Sequence, residues 1–255
     1  MNAIAVIPAR YASTRLPGKL VLSEVKELTG KYIIEHVYER TLKASLIKKV
    51  VVATDDQRIH NIVQQFGGVS VMTPDDISSG TDRIAWVVKN VEMVKEFNPD
   101  IIVNVQGDEP DISGKAIDDV VSALANDDQS VMSTAACPIE SLDEFRDPNA
   151  VKVVLDNMNN AIYFSRSSIP FTRDPCADSM SGALKHIGLY AFRKDFLLKF
   201  SQLPDSKLEK VEALEQLRVI SNGYKIKVIM TDHSFLGIDT IQDLDLFLKP
   251  YRSGK

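Results

Sequence analysis

Cysteine is scarce: the 255 residues include two, Cys137 and Cys176. They stand far apart, with no C-x-x-C pair and no neighbouring His, so neither a thiolate zinc site nor a disulfide framework is suggested, and both read as buried or idle thiols. No apolar run approaches a membrane span. The stretch Met1 to Ile7 lacks a basic lead and meets Arg10 too soon for a secretory signal, so the expectation is a cytoplasmic protein. Excess positive charge is missing as well. With a formal net charge of −5, no global field draws the chain to nucleic acid or to anionic membrane, and any anion site must be local. There is no G-x-G-x-x-G after the first apolar run, no G-x-x-x-x-G-K-[ST], no H-E-x-x-H and no G-x-S-x-G. These absences count against dinucleotide oxidoreductases, P-loop NTPases, zincins and α/β-hydrolases.

What remains is an ordinary globular composition, 44% hydrophobic and 25% charged. The length suits one large α/β domain, with or without an insertion. Strand-like runs at residues 3–7, 49–53, 68–72, 101–106 and 131–136 alternate with segments of helical period, such as Ile34, Val37, Tyr38, Thr41 and Ile59, Ile62, Val63, Phe66. That rhythm predicts βαβ units, a mostly parallel Rossmann-like sheet and helices on both faces. After Pro148 it changes. Runs at 151–155 and 161–165 flank the turn-rich segment 156–160 and predict a hairpin. A Pro/Ser/Gly-rich loop (169–182) and a strand (186–192) complete a smaller antiparallel extension. A helical pair across 196–222, a strand at 225–229 and a last helix from Thr240, with Thr240 and Asp243 as a capping box, close the chain. No repeat or long linker divides it, so residues 1–255 are expected to form one domain.

Residues 7–19, Ile-Pro-Ala-Arg-Tyr-Ala-Ser-Thr-Arg-Leu-Pro-Gly-Lys, follow the first strand, where open α/β sheets bind ligands. Three cations (Arg10, Arg15, Lys19), two hydroxyls (Ser13, Thr14) and Gly18 suit a polyphosphate; the plainer alternative is a solvated basic loop. Asp108, in Asn-Val-Gln-Gly-Asp-Glu-Pro (104–110), lies just beyond a buried strand, where a carboxylate beside a phosphate loop is a natural Mg²⁺ ligand, although Gly-Asp and Pro also make a turn. Asp239 is a second ligand candidate or a helix-entry residue. Ser79, Gly80 and Arg83 begin a helix and could face a nucleobase. Arg166, His186, Tyr190, Glu215 and Gln216 are individually unremarkable and together suggest a polar, anion-accepting pocket.

The order of these segments resembles the 3-deoxy-manno-octulosonate cytidylyltransferase family, or CMP-Kdo synthetases. The likeness rests on residues 7–19 and 104–110 together with Val-Ala-Thr-Asp-Asp (52–56), Ser-Gly-Thr-Asp-Arg (79–83), Tyr-Phe-Ser-Arg (163–166), His-Ile-Gly-Leu-Tyr (186–190), Leu-Glu-Gln-Leu-Arg (214–218) and Gly-Ile-Asp-Thr (237–240). It spans nearly the whole chain. The resemblance implies a nucleotide-diphospho-sugar transferase fold and a Mg²⁺-dependent homodimer that makes CMP-Kdo and pyrophosphate from CTP and Kdo for lipopolysaccharide assembly. A related acceptor, 8-amino-Kdo or a nonulosonic acid, is the closest alternative, and a non-catalytic nucleotide-binding protein a more distant one.

By the same resemblance, Pro8, Ala9, Arg10, Ser13, Thr14, Arg15 and Lys19 would hold the nucleotide, with Arg10, Arg15, Lys19 and Asp108 serving the chemistry. Ser79, Gly80 and Arg83 would lie at the cytosine, and Asp108 and Asp239 would bind Mg²⁺. Gln106, shared with the nucleotide, and Arg166, His186, Tyr190, Glu215 and Gln216 would bind the sugar acid, with Arg166 as partner for its carboxylate. Residues 1–147 would be a nucleotide-binding half, 148–236 a sugar-binding and dimerisation part, and 237–255 a helix returning to the metal. The chain departs from the family pattern between Lys19 and Gly30, at Tyr32 and Ile241 where Pro is usual, and at Ile77 where His is common.

Overall fold

The computed structural model describes residues 1–12, 15–77, 79–173, 180, 182–232 and 234–252. The chain forms two compact units, Met1–Asp118 with Phe235–Lys255, and Asp119–Ser234. In chain order the first contains β1 (Ala3–Ala9), a 3-10 turn (Lys19–Val21), α1 (Ser23–Thr29), α2 (Ile33–Thr41), β2 (Ile47–Thr54), α3 (Gln57–Gln65), β3 (Ser70–Met72), α4 (Gly80–Asn90), α5 (Glu92–Phe97) and β4 (Ile101–Asn104). Helix α6 (Gly114–Ala125) runs across the division in sequence. The second unit continues with β5 (Ser130–Pro138), α7 (Leu142–Arg146), β6 (Lys152–Leu155), β7 (Ala161–Ser165), β8 (Leu184–Arg193), α8 (Lys194–Phe200), α9 (Lys207–Glu212), α10 (Gln216–Ser221) and β9 (Lys225–Met230), and α11 (Ile241–Arg252) belongs again to the first.

The first unit's strands lie in the order β3-β2-β1-β4, all parallel. Their apolar runs are buried on both sides, as a sheet covered on both faces requires: Ala3 to Ile7 and Val51 to Ala53 have no exposed surface. The path from β1 through β2 to β3 moves one way along the sheet, and the path from β3 to β4 returns past β1. With right-handed crossovers, α2 and α3 therefore cover one face and α4 and α5 the other. The direction reverses between β1 and β4, which makes the crevice beyond their C-terminal ends the place for a ligand. Two chain segments leave from there, residues 10–19 and 105–111.

Local details follow from the residues at these strand ends. Pro8 is tolerated in β1 because the pairing with β4 stops at Val6, so Pro8 has a ladder neighbour on one side alone. Strand β4 ends at Asn104, short of the expected Gln106. Val105 N–H still reaches the Val6 carbonyl (3.2 Å), but Gln106 already begins a turn closed by Glu109 N–H (3.4 Å). Ser79 caps α4 by accepting from Asp82 N–H (3.0 Å), and Asp56 caps α3 by accepting from Arg58 N–H (2.9 Å). The expected Thr240–Asp243 box is present at the start of α11 (2.8 and 3.2 Å).

In the second unit β5 lies between β8, antiparallel, and β9, parallel. The expected hairpin is β6–β7, and β6 also pairs antiparallel with the start of β8. Its turn is organised by Asp156, whose carboxylate accepts from Met158 and Asn160 N–H (2.8 Å each), with Asn159 at φ +59°. Strand β5, which the alternating rhythm groups with the first half, falls in this unit. The expected helical pair across 196–222 is instead three short helices, α8 to α10. Pro204 stands between the first two, and Ala213, at φ +50°, ends α9 in the left-handed region. Among the described residues no helix is long and apolar enough to cross a membrane.

Candidate active site

The two segments leaving the switch point meet over a cavity of about 260 Å³, lined among others by Pro8, Arg10, Lys19, Gly80, Arg83, Gln106 and Asp108. Close approach is built in at Gly107, where a Cβ would sit 3.1 Å from the Pro8 carbonyl oxygen. Gly18 closes the basic segment. It adopts φ +70°, its N–H donates to the Tyr11 carbonyl (2.9 Å), and a Cβ there would lie 2.8 Å from the Tyr11 ring. Tyr11 is in turn covered by the Arg58 guanidinium, 3.3 Å from its ring centroid, and Arg58 is held by the Asp56 carboxylate (2.6 Å).

Lys19 is the centre of the site. Its Nζ donates to Asp108 Oδ2 (2.5 Å) and to Asp239 Oδ1 (2.7 Å), and the side chain is only 10% exposed. Burial works against the charged amine, but the charges and hydrogen bonds of Asp108 and Asp239 outweigh it and hold the Lys19 pKa above its ordinary value. Asp239 Oδ2 also accepts from Arg15 (2.7 Å), and Ile238 N–H donates to the Asp108 carbonyl (2.9 Å). Three segments far apart in sequence thus converge on two carboxylates. On the other side of the cavity Arg83 is fully buried, donating to Asp55 Oδ2 (2.6 Å) and to the Thr73 hydroxyl. Arg10 donates to the Ile77 carbonyl, and its Nε lies 3.7 Å from Asp55 Oδ2. Of the other candidates in this unit, Ala9 is a buried strand residue paired with Thr54 and Ser79 is a helix cap. Ser13 and Thr14 lie outside the described residues, as does Cys176.

In the second unit the segment 186–190 is a β-bulge. Thr134 pairs with Tyr190 and Ala135 with Ile187, leaving Gly188 and Leu189 unmatched. Thr134 Oγ1 fills the interrupted ladder, donating toward the carbonyls of Leu189 (2.8 Å) and Ile187 (3.1 Å) and meeting His186 Nε2 (3.0 Å). Because the hydroxyl proton serves those carbonyls, His186 Nε2–H is the donor. The ring sits edge-on to Phe164 (4.9 Å) and beside Tyr190 (5.4 Å). Burial pushes its pKa down to about 3.

Arg166 donates to the carbonyls of Glu212 (2.7 Å), Pro148 (2.9 Å) and Ala213 (3.4 Å), so its guanidinium is anchored at the end of α9. The Glu212 carboxylate accepts from Ser165 Oγ (2.6 Å) and Arg166 N–H (2.8 Å). Glu215 is half-buried at the start of α10, and Gln216 is buried with its Nε2 unpartnered among the described residues.

The sequence model of the cytidylyltransferase family matches residues 4–226. The chain belongs to that family. This cytidylyltransferase is 48% identical to the 3-deoxy-manno-octulosonate cytidylyltransferase of Geotalea daltonii, over 98% of each chain. It is also similar to a solved structure of CMP:2-keto-3-deoxy-manno-octonic acid synthetase complexed with CTP, at TM-score 0.89 and 39% identity over 100% of both chains. The 4-diphosphocytidyl-2C-methyl-D-erythritol synthase of Anaerococcus prevotii shares the fold alone, at TM-score 0.62 and 12% identity over 99% of this chain and 98% of its own.

Sequence reasoning gave no role to Asp55, Asp56, Arg58, Tyr11, Thr73 or Glu212. A signal for the first existed: Asp55 directly follows the buried strand β2, the same placement that singles out Asp108 after β4.

The neutral His186 has a consequence for stability. Its folded pKa lies below the ordinary 6.5, so between pH 6.5 and about 3 the unfolded chain binds the extra proton. The stability linked to it is complete above pH 6.5 and lost as pH falls toward 3. Urea unfolding should show this group's slope, up to about 1.4 kcal/mol per pH unit, and His186→Gln should remove it. An unchanged slope in that variant would contradict a neutral buried ring.

Proposed function

We propose that this cytidylyltransferase transfers CMP from CTP to the anomeric hydroxyl of 3-deoxy-D-manno-octulosonate (Kdo), releasing pyrophosphate and activating the sugar for lipopolysaccharide assembly. The observation that carries the reading is the convergence of Lys19, Arg15, Asp108 and Asp239 beside one cavity at the strand switch point. The names of the relatives support it, as does the relative solved with CTP.

The reactants are both anions, so their repulsion is the first barrier to attack of the sugar hydroxyl on the α-phosphorus. Arg10, Arg15 and Lys19 offset it by binding the triphosphate and fixing its orientation. Gly80 and Arg83 lie on the cytosine side, where fixed polar groups rather than size select the base. Gln106 would serve both nucleotide and acceptor. Arg166, His186, Tyr190, Glu215 and Gln216 are the acceptor-binding set, with the unpartnered Gln216 Nε2 a donor suited to a sugar oxygen. His186, held neutral, contributes a hydrogen bond and a ring face rather than charge.

The residues present fit Mg²⁺. Asp108 and Asp239 already share one cation, the Lys19 ammonium, and magnesium needs one or two carboxylates when substrate phosphates and water supply the rest. Bound there, the ion would neutralise phosphate charge and polarise the reacting oxygens. The enzyme is proposed to act as a homodimer in the cytoplasm.

Pyrophosphate release with CTP, Mg²⁺ and Kdo is the deciding assay, run beside 8-amino-Kdo and with UTP in place of CTP. Turnover is expected with CTP and Kdo; none with either acceptor would overturn the reading, and preference for 8-amino-Kdo would reassign the acceptor. Asp108→Asn should weaken Mn²⁺ binding measured by electron paramagnetic resonance and lower kcat by about a hundredfold or more while the protein stays folded. Wild-type Mn²⁺ affinity in that variant would remove Asp108 from the metal site. Light scattering should return the mass of a dimer, and a monomer would overturn the assembly.

A further inference from the structure

Asp55 touches both arginines of the cavity wall and does not itself line the cavity. It stands one residue beyond β2, with its side chain 16% exposed. Its Oδ2 accepts from Arg83 Nη2 at 2.6 Å and lies 3.7 Å from Arg10 Nε. The two arginines come from different elements, Arg10 from the segment after β1 and Arg83 from the first turn of α4.

Arg83 has no exposed surface, and a guanidinium taken wholly out of water needs a carboxylate at hydrogen-bond distance. Thr73 supplies a second anchor through its hydroxyl, but a neutral one. Arg83 Nε is buried with no partner among the described residues. On the other arm, the Ile77 carbonyl accepts from one nitrogen of Arg10, and Asp55 Oδ2 lies 3.7 Å from Arg10 Nε. One carboxylate therefore acts on two arginines from different elements at once.

We infer that Asp55 is a positioning residue of the nucleotide site, holding Arg83 and Arg10 at the spacing that one nucleotide requires. The inference rests on the proposal that the cavity binds CTP. Loss of the Asp55 charge leaves Arg83 bound to Thr73 but removes the counter-charge that the two guanidinium groups share, so the cost falls on CTP and not on the acceptor.

Asp55→Asn keeps the shape and removes the charge. Calorimetric titration with CTP and Mg²⁺ should show Kd raised by about tenfold or more, and steady-state kinetics a similar rise in KM for CTP, with KM for Kdo and kcat at saturating CTP within about threefold of wild type. Asp55→Glu keeps the counter-charge that buried Arg83 needs and displaces it by one methylene, so it should fold and bind CTP with intermediate affinity. Unchanged CTP affinity in a folded Asp55→Asn overturns the inference; if that variant does not fold, unchanged affinity in Asp55→Glu does so. Parallel loss of KM for both substrates, kcat and melting temperature, or failure of both variants to fold, makes Asp55 a folding residue and overturns it equally. Wild-type protein that binds no CTP refutes the functional reading instead.

Discussion

The ammonium of Lys19, set between Asp108 and Asp239, is the interaction on which the site depends. Two carboxylates close enough to share a cation repel one another, and a nearly buried amine without them would be desolvated for nothing. Together they are a stable arrangement, and it joins segments separated by 89 and 220 positions. The backbone bond from Ile238 to Asp108 and the Arg15–Asp239 pair hold the same junction. Through it the C-terminal segment before α11 is tied to the first unit beside the cavity.

The cavity lies where it does because of strand order. With β1 and β4 adjacent and their connections leaving in opposite directions, two segments must part at one edge of the sheet and leave a crevice. Pro8 and Gly107 then set how close they come, the first by needing no second ladder partner and the second by carrying no Cβ. Tyr11, pressed between Gly18 and Arg58, fixes the fold-back of the basic segment.

The second unit gathers its polar groups around a break in a sheet. A bulge in β8 interrupts the ladder, Thr134 satisfies the carbonyls it leaves, and the same hydroxyl orients His186. Arg166, expected as a partner for a carboxylate, is anchored by three carbonyls, while Glu212 accepts from the hydroxyl of Ser165 and the amide of Arg166. An anchored guanidinium loses less entropy on meeting an anion than a free one.

Much of this was legible in the amino-acid order because it depends on local periodicity and on residue chemistry at strand ends. The buried strand 3–7, a strand from 101 (expected to reach 106, observed to end at 104), the helical faces of α2 and α3, the 156–160 turn and the Thr240–Asp243 box each declare themselves within a few residues. So did the cavity-lining cations and Asp108, since a charged residue just past an apolar strand has few places to go. The helices between 194 and 221 were less legible, because a left-handed Ala213 is a tertiary outcome that no propensity signals.

By itself, then, the sequence determined the alternation of strands and helices and the kinds of charge carried just beyond the strands. Only the tertiary structure decided which charge meets which. It put Lys19 between Asp108 and Asp239, Asp55 between Arg83 and Arg10, and Arg166 on backbone carbonyls. The physical reason is that ion pairing depends on separation in space and on burial, and neither is set by spacing along a chain until the sheet order is known.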